Sequence, residues 1–144
     1  MAVALAAALV TAALPSAASA ADASAVKVVT YHGYRLVVPR AWPVFELASD
    51  GSACVRFDRH AVYLGVPSAA ERCPANAIGR TEAILVSPLA PGTETSALTA
   101  GASSAGRVVN ATHRVVITAT WNQDPAVIRR ALGVRSLSAA VRSL

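Results

Sequence analysis

The chain is poor in the residues from which most active sites are built. Its 144 residues include two cysteines, three histidines, and a single lysine against twelve arginines. The cysteines, Cys54 and Cys73, stand alone, without the second close-spaced pair that a structural zinc centre needs. No glycine-rich phosphate loop is present, and no G-x-S-x-G or H-E-x-x-H pattern, so no common cofactor or metal motif is expected. The formal net charge is +5, but the arginines are scattered from Arg35 to Arg142 with no run of five like charges. That excludes a basic arm, and specific nucleic-acid binding is not expected. Internal repeats are absent too. The single long apolar stretch, Met1–Leu14, would reach only about 21 Å as a helix against a hydrocarbon core of about 30 Å. A stable transmembrane span is therefore not expected.

That stretch has a different meaning. Met1 to Ala20 read MAVALAAALVTAALPSAASA: an apolar run, a break at Pro15-Ser16, then the small-x-small triplet Ala18-Ser19-Ala20. This is the layout of a secretory signal peptide, with cleavage between Ala20 and Ala21. No lysine or arginine precedes the apolar run, and no cysteine follows the cleavage site to carry a bacterial lipid anchor. Residues 1–20 are read as signal peptide and 21–144 as one small secreted domain, long enough to bury a core. All charged side chains lie after Ala20, so the mature chain keeps the positive charge. An anionic envelope component is a possible partner on that ground.

Export decides how CVRFDRHAVYLGVPSAAERC, residues 54–73, is read. Oxidising compartments favour disulfides, and two cysteines permit one pair, Cys54–Cys73. A metal site would need His60 and a distant fourth ligand, and a Cys–His nucleophile would need a free thiolate. Between the cysteines, Cys54–Phe57 and Ala61–Val66 read as two strands of a hairpin turning at Asp58–His60. Pro67–Gly79 then reads as loop. His60 is expected to be a turn residue, and Asp58 to accept backbone N–H bonds in the turn.

Elsewhere the pattern is mostly β. Val26–Tyr31 and Tyr34–Pro39 flank His32-Gly33 as a hairpin, with Tyr34, Leu36 and Val38 on one face. Trp42, between Pro39 and Pro43, is expected to cover one end of the core. Val44–Leu47 and Thr81–Ser87 read as strands, and Arg107–Asn110 with Arg114–Trp121 as a last hairpin. Leu89–Gly106 reads as a flexible loop, and Ser138–Leu144 as a weak helical turn or a frayed tail. The clearest helix is Pro125–Leu132, with Asp124 as N-cap, Pro125 at N1 and Gly133 at the left-handed C′ position. The expected fold is α+β: a mainly antiparallel sheet meander with a C-terminal helix packed on it.

The stretches HGYRLVVPRAWPVFEL, CVRFDRHAVYLG, CPA and GRTEAILVSPL resemble the amino-terminal domain of secreted actinobacterial proteins of unknown function. The resemblance covers about Tyr31–Leu89. In that group the segment can precede a glycoside-hydrolase-like domain. This chain ends at Leu144 and leaves no room for a catalytic barrel, so the hydrolase activity of that second domain is not carried over. A truncated accessory domain of such a protein is an alternative reading. More loosely, Gly33-Tyr34, Pro39 and Trp42 in G-Y-x-x-x-x-P-x-x-W order, with a late Asp-Pro helix, are similar to the PsbP-like sandwich, which concerns fold alone.

Two functions compete. The first is a non-catalytic exported module that binds a partner or the envelope, with no catalytic, cofactor-binding or metal residues. The second is a small secreted hydrolase. It would use His60 or His32 as base, Asp58 or Glu82 as its partner, and a serine nucleophile. A glycosidase would instead need two facing carboxylates among Asp22, Glu46, Asp50, Asp58, Glu71, Glu82, Glu94 and Asp124. Intact-mass analysis of the secreted protein tests the export reading: the mature chain should begin at Ala21, and retention of Met1 would refute cleavage.

Overall fold

The computed structural model describes residues 25–75, 79–91 and 105–135. The expected signal peptide with its Ala20–Ala21 junction, most of the Leu89–Gly106 loop and the Ser138–Leu144 tail lie outside the described residues. Seven strands and one helix follow in order: β1 Val26–Tyr31, β2 Tyr34–Pro39, β3 Val44–Glu46, β4 Ala61–Leu64, β5 Ala83–Pro88, β6 Ala105–Asn110, β7 Val115–Thr120 and α1 Pro125–Leu132. The α+β class holds, but the sheet is not a simple meander. β1 and β2 form a two-stranded antiparallel hairpin, and the other five strands form a mixed sheet ordered β3-β4-β5-β7-β6. Within it β3, β4 and β5 are parallel, whereas β7 runs antiparallel to both β5 and β6.

The local chemistry explains the elements that form as expected. His32 and Gly33 both have positive φ, 50° and 79°, as a two-residue hairpin turn of the primed type requires. The turn sets the register Tyr31↔Tyr34 through Val26↔Pro39, which points Leu36 and Val38 inward and Arg35 and Val37 outward. At α1 the Asp124 side chain accepts from the Ala126 N–H at 3.0 Å. Gly133, at φ 67°, closes the helix: its N–H donates to the Arg130 carbonyl and that of Val134 to the Arg129 carbonyl. This is the Schellman arrangement, which satisfies the last helical carbonyls.

The hairpin and α1 lie over one face of the five-stranded sheet. Period-two alternation places Val62, Leu64, Ile84, Val86, Val108, Val115, Ile117 and Ala119 on that face, where they meet Val29, Leu36, Val38, Trp42, Ile128 and Ala131. The opposite face carries a smaller cluster of Leu47, Ala61 and Tyr63, packed against Phe45, Ala53, Val55 and Leu85.

Two corrections follow from that second cluster. Cys54–Phe57 is not a strand, so Asp58–His60 is not a hairpin turn. Residues 47–60 instead form the crossover that makes β3 and β4 parallel, and residues 65–82 form the next, between β4 and β5. Arg56 bends back onto Asp58, with Nε to Oδ1 at 2.9 Å, which holds the first crossover in a local loop. All four residues of β4 are buried, as suits a strand covered on both faces. The Cys54–Cys73 disulfide forms, with Cα atoms 5.0 Å apart. It joins the two crossovers to each other and does not tie a loop to a hairpin strand. Beside it, the Arg72 N–H donates to the Ser52 carbonyl at 3.1 Å.

A double Cys54→Ser, Cys73→Ser variant should lose about 3 kcal/mol of stability in denaturant unfolding, the loop-closure entropy of a loop this long. A loss near zero would mean that the crossovers hold their places without the staple.

Candidate functional site

Of the residues named as possible base and acid, the structure brings one pair together. His60 ends the first crossover, immediately before β4, and Glu82 ends the second, immediately before β5. Because β4 and β5 run in parallel with Ala61 opposite Ala83, their preceding residues meet at the same sheet end. His60 Nδ1 lies 3.2 Å from the Glu82 carbonyl oxygen and 3.5 Å from its Oε2. The Thr81 hydroxyl oxygen lies 3.5 Å from the same nitrogen. When Nδ1 carries the ring proton, the Glu82 oxygens are the acceptors it meets. The ring stacks on Trp42, centroids 5.4 Å apart and planes 14° from parallel. His60 is half exposed, whereas the Glu82 side chain is 3% exposed.

Glu82 is the most constrained charged group at this end. Its Oε1 accepts from three consecutive backbone N–H groups, Asn122 at 2.8 Å, Gln123 at 2.7 Å and Asp124 at 2.8 Å. Oε2 accepts from the Thr81 hydroxyl at 2.9 Å. These amides lead into α1, where the positive end of the helix dipole favours a negative charge. Burial opposes ionisation of Glu82. The N–H groups of Asp124 and Asn122 and the Thr81 hydroxyl outweigh it and hold the carboxyl down at about 2. The carboxylate is thus an internal anion seated in a backbone cradle. Its Oε1 is fully used by backbone donors, and its Oε2 faces His60.

The other candidates lie elsewhere. His32 sits in the β1–β2 turn, and His113 in the β6–β7 turn beside it, its Nδ1 close to Gly33; both are at the opposite sheet end from His60. Asp58 pairs with Arg56 rather than His60, and the Arg56 hydrogen bond leads in lowering its carboxyl below the usual range, against a desolvation cost. Asp50 accepts from the Ser52 N–H and hydroxyl, and Asp124 caps α1. Glu46 is exposed; near Tyr31 it adds to the desolvation that raises that phenol. Asp22 and Glu94 lie outside the described residues. Glu71 lies within ligand distance of both cysteine sulfurs, and Cys54, Glu71 and Cys73 are the one such cluster of three among the described residues. The sulfurs are bonded to each other and are not thiolates, so this cluster cannot hold a metal as it stands.

His60 lies in a bend at the end of the first crossover, not in the hairpin turn expected for it. Reasoning from the sequence missed the stack on Trp42 and the approach to Glu82. It also missed Arg59, which on the back face donates from Nε to the hydroxyl of the fully buried Tyr63 at 3.1 Å. The Arg59 guanidinium lies 4.7 Å from the centre of the Phe45 ring, itself stacked on Tyr63. No linear motif marks either group; the signal that remained was a run of apolar residues in AVYL too short to reveal which polar neighbours would fold onto it.

Comparison with protein-family models, with curated proteins and with solved structures gives no match for this chain.

Glu82→Gln should destabilise the fold by roughly 3 kcal/mol at neutral pH, the free energy of holding a carboxyl pKa about two units or more below its ordinary value. The folded pKa is depressed, so this contribution is present in full above about pH 4.5 and is lost as pH falls toward about 2. Unfolding curves of wild type and variant should converge over that window, and a pH-independent gap would assign the loss to packing. His60→Ala removes a ring stacked on a buried Trp and should cost about 1 kcal/mol in the same assay, more than an ordinary surface site.

Proposed function

We propose that this chain is a non-catalytic exported module that binds a partner through the outward face of the β1–β2 hairpin. The observation that carries the reading is an apolar ladder left in solvent. Val26 is 43% exposed, Val28 50% and Val37 37%. They adjoin one another on one face, with Val28 opposite Val37 and Val26 opposite Pro39. Clustered apolar side chains on a small domain mark an interaction surface more often than scattered ones do. The disulfide suits an oxidising compartment, and among the described residues no helix is long and apolar enough to cross a membrane. The resemblance of residues 31–89 to an accessory domain of secreted proteins is in keeping with this reading. Residues 25–44 also contain the exposed cations Arg35 and Arg40 and no acidic residue, which favours an anionic partner, an envelope component included.

The second reading, a small secreted hydrolase, draws on the approach of His60 to Glu82. Against it, the carboxylate already accepts four hydrogen bonds and serves to hold the start of α1. One experiment separates the two. Immobilised wild type, Val28→Glu with Val37→Glu, and His60→Ala are each exposed to envelope and supernatant fractions and assayed with ester and glycoside substrates. A partner retained by wild type and by His60→Ala, but at least tenfold reduced in the valine variant, is the expected result. Hydrolysis abolished by His60→Ala would replace this reading with the enzyme.

A further inference from the structure

Resting on that reading, we propose that the recognition element is the open edge of β1, and that the partner is an extended acidic peptide that joins it as an added strand. The hydrogen-bond phase of the hairpin shows which groups are open. Past the last strand pair, the Arg40 N–H donates to the Ala25 carbonyl at 2.8 Å. In an antiparallel ladder bonded pairs alternate, so the backbone groups of Lys27, Val29 and Tyr31 face β2. Those of Val26, Val28 and Thr30 face away. Among the described residues, β1 pairs with β2 alone. The three residues whose amides point off the edge are also the three whose side chains are exposed. Backbone donors and acceptors and an apolar side-chain row are therefore offered along one line, which is what strand addition requires.

Charge selects among peptides. Arg35 is exposed and stands opposite Thr30, and Arg40 is exposed at the other end beyond Pro39. Residues 25–44 hold no carboxylate to neutralise them. A second copy of this chain would bring the same cations together, at a formal +5 on each copy. A strand with apolar residues beside Val26 and Val28, and acidic residues near Arg35 and Arg40, meets both the row and the charge. Lys27 does not compete for it, because its ammonium is turned inward onto the Trp42 carbonyl.

The test uses the secreted chain with its disulfide intact and a capped heptapeptide Glu-Thr-Val-Thr-Val-Thr-Glu, whose two valines and two glutamates share one face of the strand. Hydrogen exchange at the Val26, Val28 and Thr30 amides should slow at least tenfold on adding the peptide. Affinity should fall at least tenfold in Val28→Glu, in a peptide with lysine for glutamate, and in a peptide N-methylated at alternate amides. The last arm needs no variant, so a folding defect in Val28→Glu would leave the test intact. Unchanged exchange would overturn the proposal. So would equal binding of the N-methylated or lysine peptide, or equal protection by polyphosphate, which would assign the surface to anionic polymers. Edge amides already protected in a dimer, seen by sedimentation without peptide, would assign the edge to a second copy. Loss of peptide binding with partner capture retained would refute strand addition and leave the partner-binding reading standing.

Discussion

The front layer of this protein hangs on a carboxylate. Glu82 lies just ahead of β5, and its Oε1 gathers the N–H groups of Asn122, Gln123 and Asp124, the segment between β7 and α1. The Thr120 hydroxyl adds a bond to the Thr81 carbonyl at 2.6 Å beside it. Thus the residue before one strand fixes the direction in which the chain leaves another. Direction matters because α1 is only eight residues long and would not be stable alone. It becomes stable by burying Ile128 and Ala131 against the core, and it packs on β2. The hairpin in turn buries Val29, Leu36 and Val38 beneath it. A buried charge is usually a liability, and here it is tolerated because every acceptor direction that matters is filled.

The back face solves a different problem. Two consecutive parallel connections need long crossovers, and such crossovers are often helical. Here both are irregular loops, so most of their backbone must find partners locally. The Ser52 N–H donates to Asp50 and the Arg72 N–H to the Ser52 carbonyl, which supply some of them, while Arg56 and Asp58 join side chain to side chain. The disulfide then limits how far the two loops can separate. Tyr63 can be wholly buried beneath them because Arg59 reaches its hydroxyl and covers Phe45 with the same guanidinium. The His60–Trp42 stack continues this closure to the front layer, since His60 belongs to the first crossover and Trp42 to the front core.

What could be read from the sequence follows the range of the forces involved. The β1–β2 hairpin and α1 are specified by neighbours: His32-Gly33 for the primed turn, and Asp124, Pro125 and Gly133 for the helix ends. Their bounds match expectation. The disulfide was legible because two cysteines leave one pairing. Strand order was not legible. CVRF and AVYL around a polar triplet satisfy a hairpin pattern locally, and the parallel alternative gains its stability from β3 and β5, which are remote in sequence. An unbroken apolar β4 was the available sign, since a strand solvated on one face should alternate. Glu82 was harder still. In TEAILVS it looks like an ordinary surface residue, and its three amide partners lie 40–42 positions away.

The two ends of the sheet and the hairpin edge divide the chemistry between structure and exposure. Where an acid and an imidazole converge, at Glu82 and His60, the acid is consumed by backbone donors and its charge is permanent over the physiological range. A group held at about 2 is a poor proton acceptor near neutrality, because catalysis by a base is best served by a pKa near the working pH. It can still fix the tautomer of His60, which is a positioning role. Along Val26, Val28 and Thr30, where among the described residues β1 has no strand on its outer side, the side chains are exposed and residues 25–44 carry no carboxylate. A domain this small gains little by leaving three valines in water unless something else covers them. The recognition proposed above for the hairpin rests on that exposed row, whereas the Glu82 carboxylate holds the start of α1.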